Sequence, residues 1–186
     1  MNKKNFSENA DICEDDFIKI SLSPDKKLVP DLHNNLPSKS IWVPAKRALI
    51  KDILEGEDIK THFGVSQLYT KDLIFLIEQV LRKKILNSIS LTKKAGCLAI
   101  GLDTIKTQLV GKKNCLVVVA RGAKSLKNYS FFSSPSVSFF ENLLDQRDLE
   151  KSTGGNNVKY IGILSKNFKK TIQVDLNKLK GFIETD

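Results

Sequence analysis

The spacing of apolar residues along the first fifty positions predicts a small sheet. Apolar and polar residues alternate over 17–22, which is typical of a strand with one buried face. Proline, aspartate and lysines at 23–27 form a turn, and the apolar pair 28–29 follows, so this stretch predicts a hairpin. A third strand is predicted at 40–43 from its β-branched and aromatic residues.

A helix is predicted to follow the third strand. Proline suits the first turn of a helix, so it would begin at Pro44, and it would end near Gly56. Its apolar residues recur at helical spacing (Leu49, Ile50, Ile53 and Leu54). The sheet and the helix together predict a small α+β domain over 1–65, with a loop at 61–64.

A long helix is predicted to connect the two halves of the chain. Thr70 is a suitable N-cap, and apolar residues recur at helical spacing after it (Leu73, Ile74, Ile77, Val80 and Leu81). No segment rich in glycine, serine or proline separates the halves, so 66–90 is assigned to a linking helix that continues to Lys94. Asn87 and Ser88 leave two interpretations open, an unbroken helix and a hinge.

The second half alternates between helical patterns and buried strands. Residues 115–120 form an uninterrupted apolar run, which is typical of a strand covered on both faces, and a second such strand is predicted at 158–164. Between them lie a further helical turn at 148–152 and, before it, a predicted short helix (Phe139, Phe140, Leu143 and Leu144). With a final helix after the second strand, this order predicts a three-layer α-β-α sandwich over 91–186.

The positive charge of the chain lies in its second half, and this distribution indicates the kind of partner to expect. Residues 1–81 hold 11 Lys and Arg against 13 Asp and Glu, a net charge of −2. Residues 82–186 hold 19 against 8, a net charge of +11. Such an excess attracts a polyanion, and RNA is the predicted partner, although a solvated lysine-rich surface is the alternative interpretation. A membrane partner is not expected, since no apolar run approaches the roughly 20 residues that span a bilayer.

Glycines and cations cluster at the start of the second domain. Lys93 and Lys94 come directly before Gly96, and Gly101 opens the next predicted helix. An exposed helix N-terminus offers amide donors and a positive dipole end, so the pattern predicts contacts to RNA phosphates. The candidate RNA-binding residues are Lys93, Lys94, Gly96, Gly101, Lys106, Arg121 and Lys124. A purely structural role for the glycines, and ordinary surface charge for the cations, are the alternatives.

Catalytic and metal-binding chemistry is not expected. His33 and His62 have no cysteine or carboxylate neighbours at metal-ligand spacing, and the three cysteines form no C-x-x-C pair. Phosphate-loop, nucleophile-elbow and zinc-protease motifs are not found in the sequence. The sequence therefore predicts a non-enzymatic protein without a metal or cofactor. The polar N-terminus and the odd number of cysteines predict a cytoplasmic location.

The second half resembles the kink-turn RNA-binding ribosomal protein superfamily. The resemblance is carried by the box at 91–96 with Gly101 after it, the apolar strand at 116–120, and Gly154-Gly155 before the late strand. It implies basic side chains on phosphates and a glycine turn that allows close approach of the RNA. The strongest binders of that superfamily carry an acidic residue and a lysine where this chain has Thr104 and Thr107, so general RNA binding is the expectation.

The first half resembles the YlxR family of bacterial nucleic-acid-associated proteins. The matching words are Asp16-Phe17-Ile18-Lys19-Ile20, Ser23-Pro24-Asp25, Val29-Pro30-Asp31 and 36–43, in that order. The resemblance implies secondary nucleic-acid contacts at Lys39, Trp42 and Arg47, although Trp42 as a core residue is the alternative. The expected function is recognition of structured RNA, either ribosomal or associated with RNA processing or transcription termination. Docking of the first half on a ribosome or transcription factor is the other hypothesis.

Overall fold

The chain folds into a mixed α/β structure with two sheets. The computed structural model describes residues 14–66, 69–109, 114–126 and 137–183. Within these ranges, the strands are β1 (Phe17–Leu22), β2 (Leu28–Pro30), β3 (Ser40–Pro44), β4 (Leu98–Ile100), β5 (Cys115–Val119), β6 (Val137–Glu141) and β7 (Tyr160–Ile163). The helices are α1 (Arg47–Glu55), α2 (Glu57–Phe63), α3 (Leu73–Lys94), α4 (Leu102–Leu109), α5 (Gln146–Thr153) and α6 (Lys166–Ile183).

The first sheet is antiparallel, with the strand order β2-β1-β3, and confirms the predicted hairpin. Ile18 and Ile20 are buried on one face of β1, as the alternating pattern predicts. Ser21 on the other face is also fully buried, and its hydroxyl lies 3.5 Å from the Asp31 carboxylate. The sheet is therefore covered in part on its polar face as well.

Pro44 ends strand β3 and does not open a helix, so that prediction is wrong. It pairs with Phe17 in the sheet register, and α1 begins only at Arg47. The amide of Ala45 donates to the Asp16 carbonyl at 2.7 Å, so the neighbouring proline nitrogen points away from β1. Proline is tolerated at this place because an outward amide of an edge strand has no ladder partner to lose.

The loop predicted at 61–64 is also wrong, because these residues form the last turn of α2 and its cap. Gly64 adopts a φ of +68° and its amide donates to the Thr61 carbonyl at 3.1 Å. Ile59 and Phe63 lie one helical turn apart, and both are buried. Tertiary packing of two side chains stabilises a helix whose apolar pattern is too short to recognise in the sequence.

Helix α3 begins later than its predicted N-cap and then runs without interruption. The amide of Leu76 donates to the carbonyl of Asp72 at 2.8 Å, so the first turn follows Asp72 and not Thr70. The helix is continuous through Asn87 and ends at Lys94, as predicted. Of the two interpretations of the 87–88 region, the unbroken helix is the one observed.

The second sheet has the order β4-β7-β5-β6, with β5 parallel to β6 and the other pairs antiparallel. All five residues of β5 are buried, which confirms the predicted central strand. The short strand β4 was not predicted. The helix predicted around Phe139 is wrong, because Val137–Glu141 forms strand β6. Its two adjacent phenylalanines point to opposite faces, which suits a covered strand as well as a helix.

Helices cover both faces of this second sheet, in agreement with the predicted three-layer sandwich. On one face, Ile105 of α4 packs in a hydrophobic cluster with Cys115 and other odd-numbered residues of β5. On the other face, Leu116 is fully buried beside its register partner Ser138. The Ser138 hydroxyl lies 3.4 Å from the side-chain oxygen of Gln173, which places α6 over that face.

The chain divides into two compact units. The first unit comprises Met1–Leu81 with Asn177–Asp186, and the second comprises Arg82–Leu176. The second unit holds 17 Lys and Arg against 6 Asp and Glu, a net charge of +11. The first unit holds 13 against 15, a net charge of −2. The predicted domain limits at 65, 90 and 91 stay predictions.

Candidate nucleic-acid interface

The bend at Gly96 is a helix C-cap with its own internal hydrogen bonds. Gly96 has a φ of +67°, its amide donates to the Lys93 carbonyl at 2.9 Å, and the Cys97 amide donates to the Thr92 carbonyl at 3.0 Å. This pair of bonds is the Schellman arrangement, which needs a residue that tolerates the left-handed region. Because these two amides already donate hydrogen bonds within the cap, they are not available as donors to a ligand. The bend offers a ligand an exposed, sharply turned backbone instead.

Open space surrounds that bend. Gly96 is exposed, and among the described residues no heavy atom lies within 4 Å of the place where a Cβ would sit. The main chain is therefore open to close approach by another molecule here, and binding of RNA at this bend stays a prediction.

Gly101 connects strand β4 to helix α4. It has a φ of +88°, its amide donates to the Tyr160 carbonyl at 2.9 Å, and its carbonyl accepts the amide of Ile105 at 3.0 Å. The first turn of α4 exposes Asp103, whose carboxylate compensates part of the positive end of the helix dipole. This helix terminus is therefore a weaker anion site than the sequence alone suggests.

Several candidate residues meet where the strands end. Strands β4 and β5 finish at the edge of the sheet where β7 begins, since Ile100 and Val118 both pair with Ile161. Two cations, Arg121 and Lys124, follow the end of β5, and Lys159 precedes the start of β7. All three are exposed. We call this group, with Gly101, the strand-end surface.

Hydrogen bonds hold the residues directly after β5, within the described segment 114–126, in place. The Ala120 amide donates to the Lys159 carbonyl at 2.9 Å, and the Arg121 amide donates to the Leu144 carbonyl at 2.8 Å. The Tyr160 hydroxyl donates to the Lys124 carbonyl at 3.1 Å. Cations on such a loop are presented from a defined backbone, which lowers the entropy lost when they bind a ligand.

Arg121 is partly engaged within the protein. Its guanidinium lies 3.5 Å from the Asp145 carboxylate, and its Nε donates to the Asn142 carbonyl at 3.3 Å. Both charged side chains are about half exposed, at 48% and 51%, so solvent weakens this ion pair. A phosphate could compete for Arg121 at moderate cost.

Lys93 has a structural contact that the sequence does not reveal. Its ammonium donates to the Thr153 carbonyl at the C-terminus of α5, where a cation is favoured by the helix dipole. Ser90 supports the same helix end, since its hydroxyl donates to the Ser152 carbonyl at 2.6 Å. Lys94 is exposed at the end of α3. Part of the predicted role of Lys93 is therefore taken by helix capping.

The predicted residues form two groups and not one. Lys93, Lys94 and Gly96 precede β4, where Leu98 pairs with Ile163, whereas the strand-end surface lies at the opposite end of β4. A strand of three residues spans about 10 Å, so one nucleic-acid interface of about 1,000 Å² can include both groups. Lys106 lies further along α4 and is half-buried.

Thr107 is one of the two α4 positions at which this chain was compared with the kink-turn binders, and its side chain has a partner within the same helix. Its hydroxyl donates to the Asp103 carbonyl of its own helix at 3.0 Å. Such backbone bonding is common for threonine in helices and leaves the side chain close to the helix surface. This short side chain cannot reach outward as a lysine would.

The secondary candidates lie in the first unit, before, within and after strand β3. Trp42 pairs with Lys19 across β1 and β3, on the face opposite to the buried Ile41. Lys39 is exposed before β3, and Arg47 is the first residue of α1. Trp42 is half-buried, so it is neither a fully buried core residue nor a fully exposed platform for stacking on a base.

The Asp31 carboxylate of the first unit is held by several hydrogen bonds and an ion pair. Burial raises the pKa of Asp31. The Lys19 ammonium at 2.8 Å and the amides of Asn35 and Leu36 together lower it by more, so the net pKa is below the usual value. The group fixes the loop after β2 and is engaged on all sides, so its role is structural.

Lys159 is a cation of the strand-end surface that the sequence analysis did not single out. The residue type was visible in the sequence, because a lysine stands directly before Tyr160, the first residue of β7. It was missed because the edge of the sheet at which β7 begins depends on strand pairing, which the local pattern does not contain.

The described parts of the chain include a buried thiol, that of Cys115. Burial raises the pKa of the Cys115 thiol to about 11, so it stays protonated. No three His, Cys, Asp or Glu side chains of those parts are grouped so as to hold a metal ion. Among the helices described, none has the length and apolar character needed to cross a bilayer.

Comparison of the chain with protein-family models gives no match, and comparison with curated proteins gives none either.

Proposed function

We propose that the second unit binds structured RNA and that the protein has no catalytic role in doing so. The observation that carries this proposal is the concentration of charge, +11 on Arg82–Leu176 against −2 on the first unit. A surface with such an excess attracts a polyanion over distances near the Debye length, about 8–10 Å in physiological salt.

The acids of the second unit are too few to balance its cations, because six Asp and Glu stand against 17 Lys and Arg. Asp175 is buried and paired with Lys84 at 3.0 Å. Glu141 accepts hydrogen bonds from the Ser125 hydroxyl and from the amide of Leu126, in the segment that follows β5. The remaining four acids lower the positive charge locally, and the cations stay in excess over the unit as a whole.

The geometry favours a folded RNA over a protein partner for this unit. The open bend at Gly96 accommodates a backbone at close range, and the strand-end surface lies about 10 Å away across β4. Two basic groups on a rigid framework suit a bent sugar-phosphate chain, which is recognised mostly by shape. Ribosomal RNA, or RNA of a processing or transcription complex, is the partner class that the kink-turn superfamily resemblance suggests.

The test uses an electrophoretic shift of the full chain with total cellular RNA, followed by sequencing of the bound RNA. Lys94→Glu with Lys124→Glu should weaken binding by tenfold or more, and the binding should fall steeply with added salt. Lys46→Glu with Lys51→Glu is the matched control, because it changes the charge equally on exposed residues of the first unit. Equal loss in both double variants would show general charge attraction and would contradict the proposed surface.

Lys93 needs separate treatment because of its bond to Thr153. Lys93→Glu would weaken both phosphate contact and the end of α5, so a lost shift would be ambiguous. Lys93→Arg keeps the charge and a donor, and we expect it to retain RNA binding. Retention in Lys93→Arg with loss in Lys94→Glu supports a phosphate role at the bend.

A further inference from the structure

Three large apolar side chains are exposed together on the first unit. Tyr69 is 57% exposed, Phe75 is 58% exposed and Leu76 is 38% exposed. They line a groove of about 640 Å³ together with Lys27, Leu28, Val29, Lys71 and Asp72. A grouped apolar surface of this kind marks an interaction site more often than isolated exposed residues do.

The groove follows from the fold of ordered elements. The Tyr69 amide donates to the Lys26 carbonyl at 3.2 Å, and the Leu28 amide donates to the Tyr69 carbonyl at 3.3 Å, which fixes Tyr69 beside β2. The other wall is the first turn of α3, where Leu73 and Ile77 face the core and are fully buried. Phe75 lies between Leu73 and Ile77 in sequence, but its side chain is exposed. This end of α3 therefore carries apolar residues on its exposed side as well as on its buried side, which is the pattern of a helix that is packed on both sides.

The edge of the sheet beside the groove is closed to strand addition. The outward amide of Leu28 is already bonded to Tyr69. The next outward position is Pro30, which has no amide to donate. A partner must therefore bind through side chains that enter the groove and not as an additional strand.

Charge around the groove selects the kind of partner. Lys27 and Lys71 line it against the single acid Asp72, so a partner carboxylate is favoured at its rim. The first unit as a whole has a net charge of −2 and does not attract a polyanion. Aromatic side chains in a groove are typical anchors for peptide side chains.

We infer that this groove binds a short segment of a partner protein that carries two bulky apolar residues and a neighbouring Asp or Glu. The apolar residues pack against Tyr69 and Phe75, and the carboxylate pairs with Lys27 or Lys71. This function is separate from RNA binding by the second unit, and either can fail without the other.

The test is selection of a displayed library of random 12-residue peptides on the full chain. Enriched peptides should share two large apolar residues and an acid, and their affinity is then measured by fluorescence anisotropy. Tyr69→Ser with Phe75→Ser should weaken the selected peptides by about tenfold or more, and Lys27→Glu with Lys71→Glu should weaken the acidic ones. Leu91→Ser is the matched control, because Leu91 is 55% exposed on α3 but lies in the second unit.

Each outcome decides the question. Loss in the two groove variants with full binding in Leu91→Ser supports the inference. Selection that enriches no peptide, or peptides that bind the serine double variant equally well, overturns it. A labelled single-stranded oligouridine is measured in parallel, and if it binds through Tyr69 and Phe75 while peptides do not, the groove is a base-stacking surface and the inference is wrong. Circular dichroism of each variant verifies the fold.

Discussion

Substitution of Gly181 by alanine tests the packing at the end of α6. Alanine is favoured over glycine inside a helix by about 1 kcal/mol, so propensity alone predicts a more stable protein. A Cβ on Gly181 would overlap the carbonyl oxygen of Ala45 and would lie 3.2 Å from its carbonyl carbon. Because backbone atoms cannot rotate away as a side chain can, the last turns of α6 must shift.

The shift decides the sign of the effect. Leu179 is fully buried and Phe182 is 1% exposed, so both lose contacts when the helix moves. Full burial of such side chains contributes about 1.5–3 kcal/mol each, and losing about half of both costs about 1.5–3 kcal/mol. This loss exceeds the gain in propensity, so we expect a net destabilisation of about 0.5–2 kcal/mol, which lowers the Tm by about 1–8 °C.

Thermal unfolding followed by circular dichroism measures the difference between Gly181→Ala and the original chain. Asn177→Ala is the control, because Asn177 is exposed one turn earlier on the same helix and should gain a few tenths of a kcal/mol. If Gly181→Ala unfolds at the same temperature as the original chain or higher, the close approach of α6 to Ala45 is refuted.

Two further predictions concern buried groups. Asp31→Asn removes the partner of Lys19 and should cost about 1–3 kcal/mol in urea unfolding at pH 7. Folding lowers the pKa of Asp31, so the stability that this carboxylate contributes is present above the unfolded pKa and is lost as the pH falls through the folded pKa. A difference in unfolding free energy between Asp31→Asn and the original chain that stays constant into acid would contradict the ion pair. Cys115, whose pKa burial raises to about 11, should react with iodoacetamide at pH 8 only after unfolding, whereas the half-buried Cys97 should react in the native protein. Mass spectrometry of labelled peptides measures this, and equal native labelling of both thiols would count against the burial of Cys115.

Much of the fold could be predicted from local patterns. The alternation at 17–22, the apolar run at 115–119 and the long periodic stretch ending at Lys94 correspond to β1, β5 and α3. These signals are strong because each element buries a regular set of side chains. Predictions failed at Pro44, at 61–64 and around Phe139, where short elements are stabilised by neighbours far away in sequence.

The candidate site was predictable in its residue types but not in its arrangement. Both glycines stand out in the sequence, and each adopts a positive φ in the structure. The strand β4 that separates Gly96 from Gly101 does not stand out, because a three-residue strand carries almost no periodic signal. The bond from Lys93 to Thr153 joins residues 60 apart, so no local pattern contains it.

The amino-acid order alone specifies the class of the fold, the concentration of positive charge after residue 81 and the places where the backbone must turn sharply. These properties depend on composition and on spacing within a few residues, which is the range over which periodicity and φ preferences act. The folded chain is needed to show which strands pair, which cations lie together at the strand-end surface and that Tyr69 and Phe75 share a groove. Such contacts depend on how chain segments far apart in sequence pack together, because burying their apolar faces selects one arrangement.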